Sequence, residues 1–128
     1  MSLKKIKKEA ETLLYNNWTT TPIAWANVGF DETPDSYLQC FILPVDNERQ
    51  LVSADDPFLV SAIFQINIKV KMNLGTAIHF DYEETLINLF REKNINGVVF
   101  RRASSGAVFQ DGEYYVLPLA IECDCLSA

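Results

Sequence analysis

Histidine, glycine and cysteine are scarce in this chain of 128 residues, which has one histidine, five glycines and three cysteines. A single histidine excludes a metal site built from several histidines of one chain. The few glycines form neither a G-x-G-x-x-G nor a Walker pattern, which excludes the usual phosphate-binding loops. An odd number of cysteines does not fit a disulfide framework.

Long apolar runs are also missing. No uninterrupted apolar segment reaches the ~18 residues that a membrane-spanning helix needs, and none follows the lysines at the start, so we expect neither a membrane anchor nor a signal peptide. The apolar content of 48% is nevertheless enough for a hydrophobic core. We therefore expect one domain over residues 1–128, made in a cytoplasm and used there or in a particle assembled there.

Basic residues are outnumbered, and the net charge is −6. Lys4, Lys5, Lys7 and Lys8 crowd the start of the chain, so the remainder is more acidic still. Such a body repels phosphate, which argues against nucleic-acid binding. The lysine cluster is either the solvated face of a helix or a contact for an acidic partner.

Two segments carry apolar residues at the spacing of a helix. The first runs from Leu3 to about Asn17 after a possible cap at Ser2, and the second covers residues 77–92. Their apolar stripes consist of Leu3, Ile6, Ala10, Leu13 and Leu14, and of Ile78, Tyr82, Leu86, Leu89 and Phe90. Residues 18–30 between the first helix and the first strand are predicted to be an ordered connector held by Trp18 and Trp25.

Four segments are predicted to be strands: residues 37–45, 59–72, 98–103 and 114–125. Residues 59–72 alternate strictly between apolar and more polar side chains, as in a long strand with one buried face. Asp111-Gly112 indicates a hairpin before the last strand. Pro118 interrupts that strand and indicates a sheet edge, a bulge or a change of pairing partner.

The predicted order is therefore α-β-β-α-β-β. Hairpins on both sides of a helix favour an α+β fold, with a mostly antiparallel sheet and two helices packed on one face.

The reactive side chains offer little chemistry. Cys123 and Cys125 share a strand face and form a three-thiolate site with Cys40 only if the strands adjoin; otherwise they are packing residues. His79 is either a general acid or base without an evident nucleophile, or a surface or half-buried helix residue. We predict no catalytic, cofactor-binding or metal-binding residue, and the alternative is a small metal- or ligand-binding module that uses Cys123, Cys125 and His79.

A family resemblance begins in the connector, where residues 18–30 read WTTTPIAWANVGF. This resembles the T-P-[IV]-[AQ]-[WY]-x-N-V-x-F pattern of phage tail terminators. Residues 64–68 (FQINI) resemble the central strand of that family. Residues 97–100 (GVVF) and 112–119 (GEYYVLPL) resemble the strand after its second helix and its closing strand.

The resemblance implies a structural protein of phage and prophage tails rather than an enzyme. Tail terminators form a ring, usually a hexamer, that stops growth of the tail tube and presents a surface to the head-side connector protein. The expected partners are copies of the chain itself, the tail tube protein and the connector, with DNA only passing through the ring and no cofactor. The expected location is the virion tail, assembled in the host cytoplasm. A related tube or head–tail completion protein is the alternative.

Charge distribution suggests how copies meet. The strands at residues 59–72 and 114–125 are predicted to offer exposed edges to neighbours. Opposite charges are predicted to steer a long acidic loop, residues 46–57, onto a neighbouring subunit or the tube. The predicted interface residues are Lys69, Lys71, Arg101 and Arg102 on the strands, and Asp46, Glu48, Asp55 and Asp56 in the loop.

Overall fold

The structure is a computed structural model that describes residues 2–25, 34–45, 58–72 and 77–127. Two helices and seven strands lie in this part of the chain. In chain order they are α1 (Ser2–Asn17), β1 (Ile23–Trp25), β2 (Ser36–Pro44), β3 (Phe58–Lys71), α2 (Ala77–Phe90), β4 (Asn94–Ile95), β5 (Val98–Ser105), β6 (Phe109–Asp111) and β7 (Tyr114–Ser127).

The strands form one sheet in the order β1-β2-β3-β7-β5-β4, with β6 also paired to β7. Only β1 and β2 run parallel, and every other described pair is antiparallel. The predicted α+β class and the two predicted helices are confirmed. The short strands β1, β4 and β6 are additions to the predicted order.

The core lies between the helices and one face of the sheet. Alternate side chains of β3 are buried there, from Ala62 to Val70, as the period of two predicts. The facing side chains of β7 are Leu117, Leu119, Ile121, Cys123 and Cys125, all buried. Helix α1 contributes Ile6, Ala10 and Leu14, and α2 contributes Leu86 and Phe90.

Trp18 fixes the chain as it leaves α1. Its indole is 4% exposed, donates a hydrogen bond of 2.9 Å from Nε1 to Thr21 Oγ1, and meets the Tyr82 ring edge to face at 5.2 Å between centroids. Trp25 lies in β1 and packs against the core from the sheet edge. The prediction that tryptophans hold the connector is thus confirmed for residues 18–25, and residues 26–30 lie outside the described part.

The prediction of exposed edges on the strands around residues 59–72 and 114–125 is wrong. Strand β3 lies between β2 and β7, and β7 lies between β3 on one side and β5 and β6 on the other. The apolar face of each long strand is explained by the core beneath the helices, whereas both of its backbone edges are paired with neighbouring strands. In the described chain the outer strands are β1 at one side of the sheet, and β4, β5 and β6 at the other.

Pro118 marks a change of pairing partner in β7, one of the three predicted possibilities. Strand β6 pairs with Tyr114 to Val116, and β5 resumes pairing at Leu119. The Pro118 carbonyl accepts a hydrogen bond of 2.9 Å from the Gly106 amide on that same side. Because the amide and carbonyl of one strand residue point the same way, the missing N–H faces the gap between β5 and β6.

Helix α2 ends earlier than predicted, at Phe90, and a hairpin follows it. Glu92 has a φ of 52°, the left-handed conformation that commonly ends helices. Asn96 (φ 52°) and Gly97 (φ 87°) then form the two-residue turn between β4 and β5. Asn-Gly is a strong signal for this turn, and residues 94–97 accordingly lie in a hairpin between β4 and β5.

No described helix is long and apolar enough to cross a membrane.

Replacing Gly97 by alanine is expected to lower the free energy of unfolding by about 1–2 kcal/mol, because a Cβ is strained at positive φ. An added Cβ would meet only Lys5 Nζ, at 3.5 Å, so the cost is conformational rather than steric. Urea unfolding followed by circular dichroism measures it. Ser104→Ala, at an exposed position of the following strand β5, is the control and should change stability by less than about 0.5 kcal/mol. Equal effects of the two substitutions would contradict the prediction.

Candidate functional site

The four basic residues predicted for an interface fall into two separate places. Lys69 and Lys71 lie on β3, and Lys69 is opposite Val116 of β7. Arg101 and Arg102 lie on β5, opposite the Glu122 position of β7. These positions are six residues apart along β7, about 20 Å at the rise of an extended strand. They do not form one basic patch.

The two arginines form a β-bulge. Phe100 pairs with Cys123 while Ala103 pairs with Ile121, so β5 has one residue more than β7 between these pairs. In a regular strand Arg102 would point into the core with Val98 and Phe100. The bulge instead leaves both arginines exposed and returns Ala103 to the core side.

Asp124 holds Arg101 in place. This carboxylate is only 8% exposed, yet both of its oxygens have partners. Oδ1 accepts a hydrogen bond of 2.6 Å from Ser61 Oγ, and Oδ2 pairs with Nε of Arg101. Because Ser61 belongs to the central strand β3, the bulge is tied to the middle of the sheet. Arg102 forms no ion pair with any described residue.

A cleft of about 280 Å³ opens between the end of α2 and the bulge, and we call it the arginine cleft. Its floor is apolar and its rim is charged. The floor consists of Ile87, Phe90, Ala103 and Ile121, and the rim of Arg91, Glu92, Arg101 and Arg102. Three of the four arginines of the chain therefore line one cleft.

Lys69 and Lys71 instead connect strands within the chain. Lys69 is 9% exposed, with Nζ 3.3 Å from Asp111 Oδ2 and 5.6 Å from the centre of the Tyr37 ring. Lys71 Nζ lies 3.8 Å from Asp35 Oδ1. These contacts join β3 to β6 and to the start of β2. Both lysines therefore have a carboxylate partner within the chain, and their part in an interface stays a prediction.

The opposite side of the sheet carries a second, different groove beside β1, and we call it the aromatic groove. Its volume is about 570 Å³, and Tyr15 on its wall is 71% exposed. The other lining residues are Asn16, Trp18, Thr19, Thr21, Ile23 and Trp25. Strand β1 is the outer strand on this side, so its outward backbone groups lie beside the groove.

The face of the sheet opposite the helices is the open face, and its middle is polar. Asn67 Nδ2 donates to Gln39 Oε1 at 3.3 Å, and Gln65 Nε2 donates to Asn67 Oδ1 at 3.0 Å. This row of amides crosses from β3 to β2 between the half-buried Phe41 and Pro118. These two hydrogen bonds link the three amides into one row, and the surface there is neutral.

The predicted acidic partners, Asp46, Glu48, Asp55 and Asp56, lie outside the described residues. They belong to the connection between β2 and β3, residues 46–57.

His79 is fully buried, which corrects the expectation of a surface or half-buried residue. Its Nε2 lies 2.9 Å from the Tyr115 carbonyl oxygen, while Nδ1 has no hydrogen-bond partner among the described residues. The imidazole links α2 to β7 from within the core. Position 79 lies on the same helix face as Leu86 and Phe90, so the spacing agrees with burial, and only the polar residue type argued against it.

The cysteines are packing residues at three separate places in the core. Strand β3 separates Cys40 on β2 from Cys123 and Cys125 on β7, so the thiols do not form the three-thiolate site. His79 contacts β7 at Tyr115, eight residues from Cys123. The described part of the chain holds no group of three or more histidine, cysteine, aspartate or glutamate residues able to hold a metal ion.

Burial suppresses ionisation of two thiols. It raises the pKa of the Cys123 thiol to about 12, with Asp124 raising it further and a backbone hydrogen bond from Phe64 lowering it. Burial, with a smaller effect of the Glu11 charge, raises the pKa of Cys40 well above its usual range. Because the thiolate is the nucleophile and the metal ligand, neither thiol is prepared for chemistry.

Comparison with known proteins agrees with the resemblance in the connector. The family model described as "Phage tail terminator protein" matches residues 5–122.

The chain belongs to the phage tail terminator family.

A solved structure that carries only a sequence identifier has the same fold as this family member. It superposes with a TM-score of 0.68 at 18% sequence identity, over 98% of this chain and 96% of that one. At this identity the similarity concerns the fold alone. A search of curated proteins found no match.

Sequence reasoning missed three residues that shape the arginine cleft: Ser61, Arg91 and Asp124. One signal was present, since the core-facing apolar residues of β5 occur at 98 and 100 and then at 103 rather than 102. That change of spacing indicates an inserted residue, because an arginine pointing into the core is costly. The Arg101 contact with Asp124 depends on tertiary pairing, and local pattern does not reveal it.

The native thiols of this tail terminator family member are expected to react slowly. At pH 8, modification by Ellman's reagent should be at least about 100-fold slower in the native than in the urea-unfolded protein, because reaction requires opening of the core. Ser104→Cys adds an exposed thiol that should react at once and serves as the control. Rapid reaction of all three native thiols would contradict the burial.

The same thiols predict loss of stability at alkaline pH. The folded-state pKa of Cys123, about 12, is above the unfolded value. Its contribution is therefore complete below pH ~8.5, the ordinary thiol pKa, and declines as the pH rises from there toward the folded value. Urea unfolding at pH 8 and pH 10.5, compared with Cys123→Ser, isolates this contribution, and an unchanged pH dependence would contradict it.

Removing the Asp124 carboxylate is expected to destabilise the fold more than removing its hydrogen-bond donor. Asp124→Ala deprives both Ser61 and Arg101 of their partner and should cost about 1–3 kcal/mol, whereas Ser61→Ala should cost about 1 kcal/mol. Urea unfolding of both variants measures the difference. The prediction fails if Asp124→Ala is no worse than Ser61→Ala.

Proposed function

We propose that this chain forms a ring, with six copies, on the finished tail tube of a long-tailed phage or prophage. The ring ends addition of tube subunits and presents a surface to the head-side connector protein. Membership of the phage tail terminator family supports this proposal. We assign the chain to the virion tail, with assembly in the host cytoplasm and no membrane contact.

The observation that carries the ring is the difference between the two sides of the sheet. A closed ring of identical subunits requires two unlike, complementary patches on each copy. The side beside β1 has an aromatic groove with the exposed Tyr15, and the side beside β5 has the arginine cleft. Unlike surfaces on opposite sides suit head-to-tail contacts around a ring.

Charge is proposed to steer these contacts. The chain has a net charge of −6, so two copies repel at long range unless their local charges are complementary. Arg101 and Arg102 concentrate positive charge at one side. Asp46, Glu48, Asp55 and Asp56 concentrate negative charge in the connection between β2 and β3. Lys69 and Lys71, paired within the chain, are left out of this proposal.

We propose no catalytic step and no cofactor. The buried imidazole of His79 and the protonated thiols serve the core. DNA passes through the ring during ejection without a specific contact, since an acidic chain gains nothing from phosphate.

Sedimentation velocity and electron microscopy of the purified protein test the proposal. We expect a discrete ring at micromolar concentration, and one ring at the end of a tail tube when tubes are added. In a polymerisation assay, added ring should stop tube growth, whereas the same mass of serum albumin should not.

Two results would overturn the proposal. Growth of the protein itself into long tubes would assign it to the tube, the alternative component of the same tail. A strictly monomeric protein that leaves tube growth unchanged would remove the terminator role.

A further inference from the structure

We propose that the arginine cleft is the docking site for residues 46–57 of a second copy of this chain. The inference rests on the proposed ring and identifies one of its two contact surfaces.

The cleft has an apolar floor and a charged rim, and its occupant must match both surfaces. Its floor is formed by core side chains reaching the surface, including Ile87 and Ala103, which are only partly buried. Its rim carries three arginines and one glutamate. An occupant that buries the floor needs an apolar side chain, and one that meets the rim needs carboxylates.

The arginines of the rim have N–H donors that could bind further carboxylates. Arg91 and Arg102 form no ion pair with any described residue. Arg101 engages Asp124 through Nε and remains 57% exposed. A guanidinium has five N–H donors, so this anchor fixes the position of Arg101 while most of its donors stay available.

Residues 46–57 have the matching composition, since they read DNERQLVSADDP. Four carboxylates flank the apolar pair Leu51 and Val52, with Arg49 as the one basic residue. An apolar pair between acids fits a cleft with an apolar floor and an arginine rim.

A ring supplies the contact between copies. The segment joins β2 to β3, and the cleft lies on β5, which β7 separates from β3. In a head-to-tail ring, the surface on one side of a subunit meets the surface on the opposite side of its neighbour. Each copy then offers its segment to one neighbour and its cleft to the other.

Two charge-reversed proteins test this docking. One carries Arg91→Glu with Arg102→Glu, which reverses the rim while leaving the Arg101 anchor. The other carries Asp55→Lys with Asp56→Lys, which reverses one end of the segment. Each should need at least about tenfold more protein for half-assembly in sedimentation velocity, because like charges then meet across every contact. Lys4→Glu with Lys8→Glu is the matched control, with the same charge change on exposed positions of α1, and should assemble normally.

Mixing the two charge-reversed proteins is the decisive measurement. Alternating copies pair an acidic segment with an arginine rim and a lysine segment with a glutamate rim, so an equal mixture should regain assembly to within about threefold of the unaltered protein. A contact within one chain is not repaired by mixing. Failure of the mixture to assemble, or normal assembly of the rim variant alone, would overturn the docking while leaving the ring intact.

A peptide experiment tests the cleft without any ring. A fluorescent peptide of residues 45–58 should bind the Asp55→Lys, Asp56→Lys protein, whose cleft is unaltered, and should bind about tenfold more weakly once Arg91→Glu and Arg102→Glu are added. If the Asp55→Lys, Asp56→Lys variant binds the peptide but the unaltered protein never assembles into a ring, the proposed ring is wrong and the docking function of the cleft stands. Equal binding with and without the rim substitutions would sink the cleft. Unchanged urea midpoints confirm that all variants are folded.

Discussion

The pairing of β3 with β7 is the constraint on which the rest of the structure depends. These two strands match along their whole length, from Phe58 opposite Ser127 to Lys71 opposite Tyr114. The register places Phe64 beside Ile121 and Ile66 beside Leu119, so their apolar side chains form one continuous floor for both helices. A shift of one residue would turn every one of these side chains to the open face. All other strands add to this pair from its two sides.

Local pattern predicted the parts of the fold that repeat. The alternation along β3 and the stripes of α1 and α2 fixed the elements and their buried faces, because burial follows the period of each element. Pattern failed where one residue decides the outcome. His79 lies on the same helix face as Leu86 and Phe90, but as a polar residue it was not assigned to the core, where it contacts a carbonyl of β7. The placement of β3 and β7 inside the sheet depends on which strands meet, which periodicity does not encode.

The charged surface residues fall into two groups, those paired within the chain and those left exposed. Lys69 and Asp111 meet within the chain, as do Lys71 and Asp35, so these charges connect strands. Arg102 leaves the core only because β5 has an extra residue. The sequence therefore predicted only part of the candidate site. Arg101 and Arg102 are conspicuous in the sequence. The cleft, which Arg91 completes, forms only because α2 ends beside the bulge. Membership of a family of tail components accords with a chain whose distinctive features are at its surface.

The change of strand-pairing partner at Pro118 allows chains of this fold to differ in length at one point. Strand β7 gives one stretch of its side to β6 and another to β5, and the proline between them contributes no amide to either. The short link at residues 106–108 therefore joins two independently registered strands. Gly106 is bonded to Pro118 and Val108 packs against the core, but Ala107 between them is exposed. Extra residues inserted at Ala107 would extend outward without shifting either ladder, so evolution can add a new contact at this point while the buried architecture stays the same.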